Sequence, residues 1–159
     1  MTGAILALSL WFTVAMSPGE PVQLETARVE VDSTVSFLVT NAYVQTTQIG
    51  DPVRMSFNQA NLLLGRVLKV SVKADSDLTE AGGAPLPASG VTWTASNVQN
   101  GVGSNGTLST STYTQVYLSD IGKKNGRVDL TFKLAAPGAA ARAVTYVATL
   151  RWRVEAVWP

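Results

Sequence analysis

Cysteine and histidine are both missing from the 159 residues of this chain. Without cysteine there is no disulfide and no thiolate metal site; without histidine the commonest general base and the imidazole ligand of transition metals are lost as well. Charge is scarce too. Asp, Glu, Lys and Arg supply 14% of the residues, against about a quarter in ordinary soluble domains. The net charge is +1 and only Lys123-Lys124 doubles a base, so no basic stripe exists to neutralise phosphates and nucleic acid is not an expected partner. Internal repeats and low-complexity tracts are absent, and the length suits one domain.

Catalysis has little left to draw on. Hydroxyls, lysines and carboxylates remain, but the 11 acids are spread through turns and strand-like segments without the close pairing that acts on a glycosidic bond. No Gly-x-Ser-x-Gly, Walker or dinucleotide-binding pattern occurs. The expectation is a protein that is not an enzyme and carries no cofactor. The densest acidic group, Asp75, Asp77 and Glu80 around Ser76, is the one weak candidate for calcium, set against ordinary turn chemistry.

What the chain does have is alternation. Tyr146, Ala148, Leu150, Trp152, Val154 and Ala156 recur at every second position with Thr149, Arg151, Arg153 and Glu155 between them. Period two predicts a strand with one dry and one wet face. Similar patterns centre on residues 34–40, 53–57, 67–73, 91–95, 113–118 and 128–134, separated by Gly50-Asp51-Pro52, by the Pro- and Gly-rich stretch 82–87, by Asn-Gly pairs at 100–101, 105–106 and 125–126, and by Pro137-Gly138. Residues 58–65 suggest the only helical turn, stopped by Gly65. The predicted fold is all-β, an immunoglobulin-like antiparallel β-sandwich of about seven to nine strands. Trp93, Phe132 and Trp152 fall at inward positions and are assigned to its core.

The one long apolar run, Ala4 to Met16, is followed at once by Ser17-Pro18-Gly19. It has the length of a signal-peptide core and is too short to span a bilayer. Residues 1–17 therefore read as an export signal, cleaved after Ala15 or Ser17, with a single domain over 18–159 and no transmembrane span in the mature chain. The competing reading is a strand or helix belonging to the domain. The expected location is secreted or cell-surface.

The stretch 128–134, the Pro137-Gly138 connection and the strand Tyr146-Val147-Ala148-Thr149-Leu150-Arg151-Trp152-Arg153-Val154 resemble the C-terminal half of bacterial WxL-type cell-surface domains. The outline is also similar, more loosely, to pilin subunits of the chaperone-usher type, which are incomplete immunoglobulin-like sandwiches. The resemblance covers about thirty residues, ends in Val154 where WxL strands have Leu, and lacks the disulfide common in those pilins. It implies a bacterial surface setting. Two functions then compete. One is a structural or assembly protein, such as a pilus-like filament subunit in cell adhesion, that adds a strand to a neighbour; Val22, Leu24, Val29 and Val31 alternate as a donor strand would, with a break of phase near Thr26-Ala27, and so would an ordinary first strand. Its partner would be a second copy or another surface protein. The other is a module for cell-wall polysaccharide, with Tyr113 and Tyr117, two apart on one face, as the ligand platform.

Overall fold

The structure is a computed structural model; it describes the backbone of residues 5–13, 24–80 and 84–159, and side chains from Glu25 onward within those segments except Ala140. Among the described residues twelve strands form, at Ile5–Thr13 (β1), Leu24–Asp32 (β2), Thr34–Leu38 (β3), Thr46–Thr47 (β4), Val53–Asn61 (β5), Val67–Ala74 (β6), Val91–Gln99 (β7), Gly101–Gly103 (β8), Gly106–Thr107 (β9), Thr114–Ser119 (β10), Gly126–Leu134 (β11) and Thr145–Val157 (β12). Strands β4, β8 and β9 are fragments of two or three residues, so the remaining nine carry the fold. Every long strand except β1, which falls in the apolar run, coincides with an alternating segment of the sequence.

The strands make two antiparallel sheets. One has seven strands in the order β1-β2-β5-β11-β7-β9, with β4 also on β11; the other has five, β3-β12-β6-β10-β8. The inner faces meet in one apolar core that takes Val29, Met55, Phe57, Trp93, Val128 and Phe132 from the larger sheet and Phe37, Leu68, Val70, Tyr117, Tyr146 and Ala148 from the smaller. Trp93 and Phe132 are buried as expected, with ring centroids 5.9 Å apart. The Trp93 indole also needs a polar partner and donates to the Ser104 carbonyl at 2.8 Å.

The helical turn expected over 58–65 is a correction. Strand β5 runs on to Asn61, and the next residues close a tight turn in which the Arg66 amide donates to the Leu63 carbonyl at 3.0 Å. Gly65 sits there at φ +86°, the left-handed region open to glycine, so the stop signal was real but it ends a strand and not a helix. Two short 3-10 turns, Ala88–Gly90 and Gly138–Ala140, are the only helical pieces among the described residues, and no described helix is long and apolar enough to cross a membrane.

The crossing from one sheet to the other positions everything that follows. Strand β2 belongs to the larger sheet up to Asp32, Ser33 turns the chain, and β3 continues in the smaller sheet against the first part of β12. Beyond that corner β12 runs on for eight more residues, Leu150 to Val157, with β6 on one side only.

Candidate functional site

In β12 the even-numbered side chains face the core and their N–H and C=O groups point toward β3. Val39 donates to the Val144 carbonyl at 3.0 Å and the Leu150 amide to the Ser33 carbonyl at 2.7 Å. The odd-numbered groups point the other way, as Val147 exchanges bonds with Thr79 and Thr149 accepts from Asp75. Alternation carried past Leu150 aims the N–H and C=O of Trp152 and Val154 at the side that β3 has left. Among the described residues no strand pairs with them there. A strand edge with unpaired backbone groups is a ready template for another strand.

Below this edge the sheets stand apart. A cleft of about 260 Å³ opens between Val29 and Val31 of β2 and Leu150, Trp152 and Val154 of β12, with Tyr113 also in its lining. Polar contacts also link β2 with β12 farther along both strands. At one end the Trp152 indole donates to the Asp32 carbonyl at 2.9 Å. At the other, Arg66 pairs with the buried Glu25 of β2 at 2.6 Å and donates to the Ala156 carbonyl of β12, tying the two sheets together. Trp152 is thus only partly buried, unlike Trp93, because β3 no longer covers it.

The donor-strand candidates fall on this region in an unexpected way. Val29 and Val31 are 1% and 5% exposed, line the cleft and belong to a strand already paired with β1 and β5. Leu24 is paired by its backbone with Thr13, and Val22 lies outside the described residues. The anticipated break of phase is present as a register shift between Thr26 and Arg28 against β5. The apolar run assigned to the export signal supplies β1, the strand on the outer edge of β2.

The tyrosine platform is a correction. Pairing of β10 with β6 slips between Gln115 opposite Ser71 and Tyr117 opposite Val70, so Val116 is an extra residue and everything after it changes face. Tyr117 is therefore 0% exposed, its hydroxyl donating toward the carbonyls of Gln99 and Asn100, both at 2.7 Å. Burial, with the Asp120 carboxylate a smaller contributor, pushes that phenol up to about 12. Two glycines make room for the ring: a Cβ on Gly101 or Gly126 would sit 2.5 or 2.3 Å from its hydroxyl. Tyr113 stays at the surface, with the Arg153 guanidinium 4.1 Å and the Lys73 ammonium 5.1 Å from its ring.

The acidic cluster is dispersed by its own neighbours. Asp75 accepts from Arg151 and Asp77 caps the Ala88 amide at 2.9 Å; the Glu80 Oε1 atom has no hydrogen-bond partner among the described residues. No group of three metal-ligating side chains forms among the described residues.

Sequence spacing gave no sign of a second polar device. Asp129, 3% exposed, is gripped by Arg54 at 2.7 and 3.0 Å and by Asn97 at 2.9 Å, which holds its carboxyl below the ordinary value. Arg54 and Asp129 are 75 positions apart, so only the pairing of β5 with β11 reveals them. It is a cross-strand clamp on the outer face of the larger sheet. No known protein family, curated protein or solved structure matches this chain.

Proposed function

We propose that the chain is a non-enzymatic structural or assembly protein of the bacterial cell surface, exported by its N-terminal signal and joined to a neighbour by strand addition, as a filament subunit is. The observation that carries this reading is the edge of β12 at Trp152 and Val154, open above an apolar cleft. An incoming strand would satisfy those backbone groups while placing alternate side chains against Val29, Val31 and Leu150. Export is supported by the composition of residues 1–17.

Light scattering and electron microscopy on protein recovered from the surface or medium of the producing cell test the reading. Assemblies are expected, and Val154→Pro should abolish them, because proline removes the one N–H that points outward there while the bonds to β6 are made by the odd-numbered residues. A melting curve confirms that the variant is folded. Exported wild-type protein that stays monomeric at all concentrations would sink the assembly reading and favour a polysaccharide-binding surface module using Tyr113.

A further inference from the structure

Strand β1 covers one whole edge of the larger sheet, from Ile5 opposite Asp32 to Thr13 opposite Leu24, in a register without interruption. The residues that do the covering are those read as the export signal. Cleavage after Ala15 or Ser17 would carry β1 away and leave β2 outermost, its outward backbone groups without a partner. We propose that β1 is a built-in blocking strand, and that the processed chain pairs this uncovered edge with β2 of a second copy, antiparallel about a two-fold axis through Val29. The inference rests on the export reading; it concerns a different edge, on a different sheet, from the one at β12.

Three observations select a second copy as the occupant. The edge accepts an antiparallel strand of nine residues along its full length, as β1 demonstrates, and β2 has the same length. With β1 in place the inner side chains Ala27, Val29 and Val31 are at most 5% exposed, and β2 of a second copy would bring the same three side chains to the same face of the joined sheet in place of β1. The outer side chains include Arg28 and Glu30, which pair with each other at 2.9 Å and keep 52% and 37% of their surface.

A two-fold axis at Val29 sets each Arg28 opposite Glu30 of the second copy, twice over, with Val29 facing Val29. Moving the axis to Arg28 or to Glu30 brings two like charges face to face. A slip of one position would set charged residues against apolar ones across the seam, which the two faces of the sheet forbid. The charge pattern of β2 is therefore self-complementary in one register, the condition for an isologous contact that closes as a dimer. Such a dimer leaves both β12 edges free, so it can serve as the building block of the proposed assembly.

The test compares the chain processed by an exporting cell, its N-terminus sequenced, with the full chain 1–159, both by light scattering across a concentration series. With Val154→Pro introduced into both to remove the β12 contact, processed protein is expected to dimerise and the full chain to remain monomeric. Arg28→Glu and Glu30→Arg should each weaken the dimer about tenfold or more, since each puts like charges at both contacts. Mixing the two variants should restore pairing, because one copy then brings two acids and the other two bases to the seam. Both changes are at exposed side chains, and an unchanged melting temperature verifies folding. Monomeric processed protein, a full chain that dimerises equally well, or a mixture that fails to recover would each overturn the proposal. Oligomers that Val154→Pro abolishes but both charge variants leave intact would overturn β2 pairing while leaving the β12 reading in place; a charge-sensitive dimer indifferent to Val154→Pro would support it.

Discussion

Raising the pH should destabilise this protein through Tyr117. The phenol is 0% exposed and its pKa is pushed from 10 up to about 12, first by burial and then by the nearby Asp120 carboxylate. The folded state thus holds the proton more tightly than the unfolded chain. Its stabilising contribution is complete below pH 10, declines once the unfolded phenol ionises, and is gone above the folded pKa. Two pH units at about 1.4 kcal/mol each correspond to a loss of about 2–3 kcal/mol between pH 10 and 12. The comparison is with Tyr117→Phe, which keeps every other contribution and removes this one. At neutral pH the variant should be less stable by about 1–2 kcal/mol, because the Gln99 and Asn100 carbonyls lose their donor. Denaturant melts of both proteins at pH 7, 9, 10, 11 and 12 should show that gap shrinking through zero as the pH rises. A gap that stays constant from pH 9 to 12 would refute the reasoning, since it would mean that Tyr117 ionises equally easily folded and unfolded.

Gly126→Ala should destabilise by about 1–3 kcal/mol, because its Cβ would lie 2.3 Å from the Tyr117 hydroxyl and 2.5 Å from the Phe57 ring; chemical denaturation measures it, and a neutral result would mean that the ring can move aside. Asp129→Asn should cost about 1–2 kcal/mol at pH 7, discounted because Arg54 is more than half exposed. Since the Asp129 pKa is lowered, its contribution is present above the ordinary carboxyl value and lost as pH falls through the folded one, so the gap between wild type and this variant should close in acid; a gap independent of pH would exclude the ion pair as its source. Trp152→Ala should cost about 2–4 kcal/mol, less than a fully enclosed tryptophan, with a loss under about 1 kcal/mol indicating that the ring serves only the cleft.

Period-two alternation located every long strand except β1, whose continuous apolar run reads as an export signal; in the others one face is dry and the other wet, and the side chains record that difference locally. Glycine and Asn-Gly turns were equally legible, since positive φ and tight approach are demands on single residues. Alternation failed where a neighbour rewrote the phase: one bulged residue at Val116 separates Tyr113 from Tyr117, and nothing in that segment announces it. The polar clamps Arg54 with Asp129 and Glu25 with Arg66 were hidden for the same reason, as their members meet only through strand order.

The sequence by itself determined the strand content, the single core and the poverty of catalytic groups, all of which follow from composition and local pattern. Only the tertiary structure decided which strands are neighbours. It placed the apolar N-terminal run on the edge of β2, sent β2 into one sheet and β3 into the other at Ser33, and so left the last residues of β12 with a bare edge over a cleft. Hydrogen-bond partners in a sheet lie far apart along the chain, and which backbone groups go without one is settled only when the whole sheet has been assembled.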